Sequence, residues 1–180
     1  MRVISGEKRG KKLITLDGEE VRPTTDRIKE SVFNVLQFEI TDKNFLDMFA
    51  GSGQMAIEAL SRGAKTATLI DFSQKSIKIC EKNLISTNFL EKAKLVNSNS
   101  IQYVKNINEV FDIAFLDPPY HENLLVESLT ALAPKMSKAG IIVCEHPLSM
   151  SLPAKVIDFE KDKQYKYGKI ELSVYRNKSI

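Results

Sequence analysis

The feature that most constrains the fold of this chain is a regular alternation of strand and helix patterns that begins at Phe45. Strand patterns occur at 45–49, 66–71, 93–97, 111–116 and 141–144, and the first of them is an apolar run typical of a buried strand. Between successive runs, apolar residues follow helical spacing. Strands that alternate with helices in this way pair in parallel and are covered by helices on both faces. The sequence therefore predicts an α/β fold built around an open, mostly parallel sheet.

The last thirty residues depart from this alternation. Residues 155–159 and 169–175 both have strand character, Gly168 lies between them, and no helical pattern separates them. Strands that are joined without a crossover helix pair in the antiparallel direction. We therefore expect the sheet to end in an antiparallel hairpin at one edge.

The first forty residues carry a different pattern. Residues 2–5 and 11–16 have strand character around a glycine-bounded turn, which is typical of a hairpin. Apolar residues at helical spacing then predict a helix that contains Ile28, Val32, Val35 and Leu36. We expect one domain over residues 1–180, with a hairpin and helix at 1–40 attached to a core at 41–180.

Composition excludes several classes of protein. No stretch approaches the roughly 20 consecutive apolar residues of a membrane helix. The N-terminus becomes polar too soon for a signal peptide. The two cysteines, Cys80 and Cys144, cannot build a disulfide framework and lie in no metal-binding spacing. We therefore expect a cytoplasmic protein without a structural metal.

Basic residues concentrate at the two ends of the chain. Residues 1–12 hold five basic residues and one acidic residue, and residues 161–178 hold six and two, although the whole chain has a net charge of only +3. Such an asymmetry indicates a polyanionic partner. Solvated turns and lysines that guard strand edges produce the same pattern, so charge alone does not decide between the two interpretations.

A glycine turn follows the first strand of the alternating region. Gly51-Ser52-Gly53 stands between that strand and the next helix, and Asp71 follows twenty residues after Gly51, at the end of the second strand. Glycines here let backbone N–H groups approach a ligand, and a carboxylate at the second strand accepts ribose hydroxyls. The arrangement favours a cofactor that contains a nucleoside. A turn that merely packs a helix on a strand remains the alternative.

Asp47 indicates which cofactor this is. It interrupts an otherwise apolar strand, so its carboxylate is expected to be desolvated, which is costly unless the charge is paired. The pyrophosphate of NAD would be repelled by it, whereas S-adenosylmethionine carries an ammonium group, a sulfonium and no phosphate. Asp47 thus favours S-adenosylmethionine, although a bond from Asp47 to the backbone or to a lysine would also satisfy it.

A second motif, Asp117-Pro118-Pro119-Tyr120, ends the fourth strand, where ligands bind in open α/β sheets. Two consecutive prolines remove two N–H donors, so the loop presents the Asp117 carboxylate and the Pro118 carbonyl as acceptors. Two acceptors match the two N–H bonds of an exocyclic nucleobase amine. Tyr120 offers a face for stacking of an extruded base. The motif therefore predicts methyl transfer to a base amine, with a simple strand-ending turn as the alternative.

Together with these motifs, the N-terminal stretches resemble the RsmD family of bacterial 16S rRNA guanine-N2 methyltransferases. The resemblance extends over nearly the whole chain. It is carried by 2–6 (RVISG), 10–13 (GKKL), 22–27 (RPTTDR), 30–34 (ESVFN), 58–63 (EALSRG) and 117–120 (DPPY). The tetrapeptide is shared with many amino-methyltransferases, whereas the N-terminal stretches are more specific.

The resemblance implies a class I S-adenosylmethionine-dependent methyltransferase fold, a monomer, and 16S rRNA of the small ribosomal subunit as the partner. It also implies roles for residues. The acceptor residues are Asp117, Pro118, Pro119 and Tyr120. The cofactor residues are Asp47, Phe49, Ala50, Gly51, Ser52, Gly53, Asp71, Phe72, Asn99 and Ser100. The RNA-binding residues are Arg2, Lys8, Arg9, Lys11, Lys12, Arg22 and Arg27.

The sequence departs from the family at two cofactor positions. Asn99 follows the third strand where an acidic residue is common, and we expect its carbonyl to accept a hydrogen bond from the adenine amine. Asp71 stands where glutamate is common, and the shorter side chain is still expected to reach the ribose.

Three other functions compete with this interpretation. A DNA adenine-N6 methyltransferase shares the tetrapeptide, but no stretch of the chain is left for a DNA-recognition domain. A non-catalytic rRNA-binding assembly factor would retain the fold without the intact motifs. An NAD oxidoreductase ranks last, because no hydride-transfer residues are evident and Asp47 is poorly placed beside a pyrophosphate.

Overall fold

The computed structural model describes residues 1–16, 26–119 and 122–178. In these ranges the helices are α1 (Asp26–Val35), α2 (Gln54–Ser61), α3 (Gln74–Ser86), α4 (Ser100–Asn106) and α5 (Glu122–Leu132). The strands are β1 (Asn44–Asp47), β2 (Thr66–Asp71), β3 (Ala93–Asn97), β4 (Phe111–Leu116), β5 (Met136–Pro147), β6 (Lys155–Val156), β7 (Phe159–Tyr167) and β8 (Ile170–Asn177). Two short 3-10 turns precede β3 and β5. The predicted bounds of β2, β3 and β4 are confirmed residue for residue.

The strands form one sheet in the order β3-β2-β1-β4-β5-β8-β7-β6. Strands β1 to β5 are parallel, and the remaining pairings are antiparallel. The strand order reverses between β1 and β4, where Asp47 pairs with Phe115. Ligands bind at such a switch point, beyond the carboxyl ends of the strands. The topology thus places the residues after β1 and those after β4 side by side.

Helices cover both faces of the sheet, as predicted. On one face α2 and α3 pack over β1 and β2, and on the other α4 and α5 pack over β4 and β5. Among the described residues, no crossover helix covers β5 and β8 on the first face. The predicted N-terminal helix α1 covers that position, where Ile28, Val32 and Phe33 join a core with Val143 and Leu172. Within the described ranges, no helix is long and apolar enough to span a bilayer.

The predicted N-terminal hairpin is present but short. Its arms meet in a single antiparallel bridge, Arg2 to Lys12, flanked by a hydrogen bond from Val3 N to Lys11 O of 2.9 Å. The arms are held to α2 instead, where buried Glu58 accepts from the backbone N–H groups of Ile4 and Ser5 at 2.7 and 3.0 Å. The segment at 1–16 is therefore positioned mainly by side chains of the core.

The predicted C-terminal hairpin exists, but one of its strands was assigned incorrectly. The partner of β8 is β7, to which Gly168 connects it, and of the predicted strand 155–159 only Phe159 belongs to β7. Lys155 and Val156 form the separate short strand β6, which turns back through Ile157 at φ +54° to pair with the start of β7. Strand β7 lies near the sheet edge and is half-exposed. Its sequence therefore lacks the run of apolar residues from which a buried strand can be predicted.

Candidate active site

A cavity of about 720 Å³ lies at the carboxyl ends of β1, β2 and β4. Gly51 and Pro118 both line it, so the glycine turn and the acceptor motif face one space. Twelve of the predicted site residues line this cavity: Asp47, Phe49, Ala50, Gly51, Ser52, Asp71, Phe72, Asn99, Ser100, Asp117, Pro118 and Pro119. Gly53 is not among the lining residues, and Tyr120 lies outside the described residues.

The two glycines of the turn serve different needs. Both have positive φ, +54° at Gly51 and +78° at Gly53. A Cβ on Gly53 would lie 3.0 Å from Leu69 and 3.1 Å from the sulfur of Cys80, whereas the described residue that one on Gly51 would meet is Leu16, at 4.0 Å. Gly53 thus allows α2, α3 and the sheet to pack closely behind the turn. Gly51 exposes its backbone toward the cavity.

Hydrogen bonds from the core hold the glycine turn in place. The N–H of Gly51 donates to Oδ2 of Asp71 at 2.8 Å, and the thiol of Cys80 donates to the carbonyl of Gly51 at 3.3 Å. Oδ1 of Asp71 accepts from the N–H of Ser73 at 2.8 Å. Each carboxylate oxygen has a second lone pair, so Asp71 can still accept from a ribose hydroxyl.

Asp47 is buried, with 1% of its surface exposed. Burial, reinforced by the charges of Asp117 and Asp71, raises the pKa of Asp47 to about 7, although the backbone N–H groups of Ala56 and Phe49 partly oppose the rise. Its Oδ2 atom has no hydrogen-bond partner in the described part of the chain. A buried carboxylate with one unsatisfied oxygen at a cavity wall can accept a hydrogen bond from a cationic group.

At the side of the cavity beyond β2 and β3, the side chains that we expected to bind the cofactor also form hydrogen bonds within the protein. Oδ1 of Asn99 accepts from the N–H of Gln102 at 3.0 Å and so caps α4. The hydroxyl of Ser100 donates to the carbonyl of Met48 at 2.6 Å. Both polar groups therefore already have a structural partner. The Asn99 oxygen keeps a second lone pair for a ligand, and the Ser100 oxygen, whose proton is engaged, can act toward a ligand only as an acceptor. Phe72 is 81% exposed at the rim of the cavity, where its ring can pack on a flat ligand.

The acceptor motif closes the opposite side of the cavity. Asp117 is half-buried, Pro118 is buried and Pro119 is exposed. Asp117 and Asp47 line the same cavity, and the charge of Asp117 contributes to the raised pKa of Asp47. The two walls therefore combine a cation site with a loop that lacks backbone donors at two consecutive positions.

Three residues of the N-terminal segment also line the cavity, which sequence reasoning missed: Met1, Thr15 and Leu16. Asn83 positions two of them. Its Oδ1 accepts from Ile14 N at 2.8 Å, and its Nδ2 donates to the carbonyls of Ile14 and Ser52 at 2.9 Å. Asn83 therefore joins the N-terminal segment to the glycine turn. The sequence feature that could have indicated this contact is Asn83 itself, a polar residue on the apolar face of α3 next to Leu84.

The predicted RNA-binding residues lie in two separate places. The turn that carries Lys8 and Arg9 is bound to Ser61, which accepts from Glu7 N at 2.7 Å and from Lys8 N at 2.9 Å. Ser61 ends α2, about 12 Å along the helix from the glycine turn at about 1.5 Å per residue. This basic turn therefore lies at the end of α2 that is remote from the glycine turn.

The remaining basic residues follow the two arms and α1. Lys11 and Lys12 are exposed on the returning arm of the N-terminal segment. Arg2 lies 3.7 Å from the carboxylate of Asp26 at the start of α1. Arg27 lies over the ring of Tyr167, 5.9 Å from its centroid. Arg22 is outside the described residues.

Comparison with known proteins identifies the family. The family description "Conserved hypothetical protein 95" matches residues 1–176. The chain is 34% identical to the ribosomal RNA small subunit methyltransferase D of Escherichia coli, over 99% of this chain and 91% of that protein. It is also 34% identical to the putative rRNA methyltransferase YlbH of Bacillus subtilis, over 99% of this chain and all of the relative.

Solved structures agree with the sequence relatives. A putative methyltransferase of Escherichia coli, yhhF, superposes with a TM-score of 0.91 at 32% identity, covering 100% of this chain and 99% of that one. A putative methylase of Haemophilus influenzae superposes with a TM-score of 0.83 at 31% identity, covering 98% and 97%. The predicted class I methyltransferase fold is confirmed. The methyltransferase relatives also confirm the prediction of S-adenosylmethionine as the cofactor. The chain therefore belongs to the RsmD family of methyltransferases.

Proposed function

We propose that this protein transfers a methyl group from S-adenosylmethionine to the exocyclic N2 amine of a guanine in 16S rRNA. The observation that carries the proposal is one cavity lined both by a buried carboxylate with an unsatisfied oxygen, Asp47, and by the acceptor motif at Asp117 and Pro118. The names of the relatives, which include ribosomal RNA small subunit methyltransferase D, support the choice of RNA over DNA.

The cofactor wall fits the chemistry of S-adenosylmethionine. When bound, this cofactor supplies a methyl group on a positively charged sulfur. Asp47 would accept from the ammonium of its methionine part, because Oδ2 lacks any other described partner. Phe49, Ala50, Gly51 and Ser52 would line the methionine end, supported by Gly53 from behind. Asp71 would accept from the ribose, and Phe72, Asn99 and Ser100 would lie beside the adenine.

The acceptor wall would hold the guanine amine. The Asp117 carboxylate and the Pro118 carbonyl would each accept one of its two N–H bonds. Its nitrogen lone pair would then be directed at the methyl group, so that the C–S bond breaks as the N–C bond forms. Tyr120 would stack on the base, a contact worth about 1–3 kcal/mol. The proton released afterwards would go to water or to Asp117, so no covalent enzyme intermediate is needed.

The proposed substrate is the small ribosomal subunit or one of its assembly intermediates, which the protein would meet as a monomer in the cytoplasm. Arg2, Lys8, Arg9, Lys11, Lys12, Arg22 and Arg27 are the residues that we propose to contact phosphates. Exposed basic side chains bind the RNA backbone without reading its sequence. Guanine selection would thus depend on the cavity itself.

The test is methyl transfer from tritium-labelled S-adenosylmethionine to small ribosomal subunits from cells that lack the gene. Subunits from cells with the gene are the matched control, because their target position is already methylated. We expect label in 16S rRNA from the deletion strain only, recovered after digestion as N2-methylguanosine. Label in adenosine, or label only in DNA, would overturn the guanine-N2 assignment. Cofactor binding without transfer to any nucleic acid would indicate an inactive assembly factor.

A further inference from the structure

We infer that the turn of the C-terminal hairpin, together with Arg27, contacts the RNA strand that flanks the target nucleotide. The turn comprises Lys166, Tyr167, Gly168 and Lys169, and with Arg27 we call it the hairpin-turn surface. The inference rests on the proposed function, because it takes RNA as the substrate. It adds a second contact region that the basic N-terminal stretch does not provide.

The strand register places this surface at the same edge of the sheet as the acceptor motif. Leu116, the last residue of β4, pairs with Cys144 of β5, and Pro147 at the end of β5 pairs with Ile170 of β8. The N–H of Leu148 also donates to the carbonyl of Lys169 at 2.8 Å. Strand β8 is two strands from β4, about 10 Å across the sheet at roughly 4.8 Å per strand. Pro147 lies three residues beyond Cys144, so the turn also stands about 10 Å further out along the strands, at about 3.3 Å per residue. The nucleotides that flank the target base can span this separation.

The two lysines of the turn are available for phosphate. Lys166 and Lys169 are exposed, and neither forms an ion pair with any of the described residues. Other cations of the C-terminal strands are occupied: Arg176 pairs with Glu39, and Lys178 pairs with Asp162. Free ammonium groups beside a nucleic-acid site provide the sequence-independent part of RNA binding.

Arg27 extends this surface from the side of α1. Its guanidinium lies over the ring of Tyr167, with 5.9 Å to the ring centroid, and the residue is exposed. A guanidinium that stacks by its face keeps its N–H donors at the edges, where they can bond a phosphate. The N-terminus of α1 is thereby fixed beside the hairpin turn, so the two elements present three cations on one edge.

The test is a double variant, Lys166→Gln with Lys169→Gln, compared with Lys65→Gln and Lys138→Gln. The control pair removes the same charge from exposed lysines just before β2 and near the start of β5, at the opposite edge of the sheet. In methyl transfer to small subunits from the deletion strain, we expect the KM of the test variant to rise roughly tenfold. Its kcat and its affinity for S-adenosylmethionine should match the wild type, and the control should match it throughout.

A binding experiment with protein-free 16S rRNA identifies the partner of the turn. Loss of two phosphate contacts should reduce the slope of log affinity against log salt by about 1.4, at about 0.7 per contact on a single strand. An unchanged slope and KM in the test variant would overturn the inference while the activity stands. A raised KM on subunits with unchanged binding to free rRNA would indicate a ribosomal protein and overturn it as well. An inactive wild type would instead overturn the proposed function.

Discussion

The two walls of the cavity are built on different physical principles. The cofactor wall, at the glycine turn 51–53, is held by hydrogen bonds from two other elements, β2 through Asp71 and α3 through Cys80 and Asn83. The acceptor wall at Asp117–Pro119 is shaped chiefly by two prolines, which restrict φ and remove donors. A wall that is fixed from behind suits a cofactor that must bind in one orientation. A wall that offers only acceptors suits an amine, so changes on the two sides should have separable effects.

The largest expected effect is on the acceptor wall. Asp117→Asn keeps the shape but replaces a charged acceptor oxygen by an NH₂ donor, which would repel the N–H bonds of the substrate amine. We expect kcat to fall about 10²–10³-fold, or about 3–4 kcal/mol, with cofactor affinity within a factor of two of the wild type. Tritium transfer and calorimetry measure the two quantities. Transfer above a tenth of the wild-type rate would remove Asp117 from its proposed role.

The next effect is on the cofactor wall. Asp47→Asn should weaken binding of S-adenosylmethionine roughly 10- to 100-fold, because a charge-assisted hydrogen bond to its ammonium is lost. Calorimetry measures this directly. Adenosine lacks the ammonium and serves as the matched ligand, whose affinity should not change. An equal loss for both ligands would contradict the ammonium contact and indicate damage to the turn.

Stability of the cofactor-free protein should depend on pH through the same residue. The pKa of Asp47 is raised to about 7 in the folded chain. Between the ordinary value of 3.8 and 7, the folded chain holds a proton that the unfolded chain has released. The free energy of unfolding should therefore fall as pH rises through this window and level off above it.

Between pH 5 and pH 8 the contribution of Asp47 to this fall is about 3 kcal/mol. Asp47→Asn should remove this pH-dependent contribution. In urea unfolding, the free energy of unfolding of the variant should therefore rise relative to that of the wild type as pH increases. Equal pH dependence in the two proteins would show that the Asp47 carboxylate is not desolvated in solution.

The hydrogen bonds that support the cofactor wall from behind can be tested at Asn83. Asn83→Leu leaves Ile14 N and two carbonyls without their partner, which should lower the free energy of unfolding by about 2–3 kcal/mol. Cofactor affinity should fall too, because Thr15 and Leu16 lose their anchor. The control is Lys82→Ala, on an exposed position of the same helix. Loss of stability without any loss of affinity would mean that residues 15 and 16 do not contact the cofactor.

The smallest expected effect is on stability. It separates the cost of a positive φ from the cost of close packing at Gly53. Gly53→Ala should cost about 2 kcal/mol, since φ is +78° and the new methyl group meets Leu69 and Cys80. Gly10→Ala is the matched control, with φ at +83° and no described neighbour within 4 Å of the added Cβ, and it should cost about 1 kcal/mol. Equal costs in urea unfolding would show that the turn has room behind Gly53.

Much of the core was predictable from the sequence because buried parallel strands are continuous apolar runs. Strands β2 and β4 agree with the predicted bounds for this reason. Strand β3 also agrees, although it is an edge strand whose residues are half-buried or exposed. The hydroxyl of Ser73 caps α3 by accepting from Ser76 N. Strand β7 was missed because an edge strand carries lysines and tyrosines instead of an apolar run. Asn83 was missed because its partners, at positions 14 and 52, are distant in the chain.

The order of residues along the chain was sufficient to infer the alternating fold and the two motifs that meet at its switch point. Local spacing of apolar residues records which face of each element is buried, and strand direction determines which loops share an edge. Only the tertiary structure decided which basic segments lie near the cavity. The N-terminal turn docks on the far end of α2, whereas the C-terminal turn lies beside β5. Such placement depends on contacts between distant segments, which local periodicity does not encode.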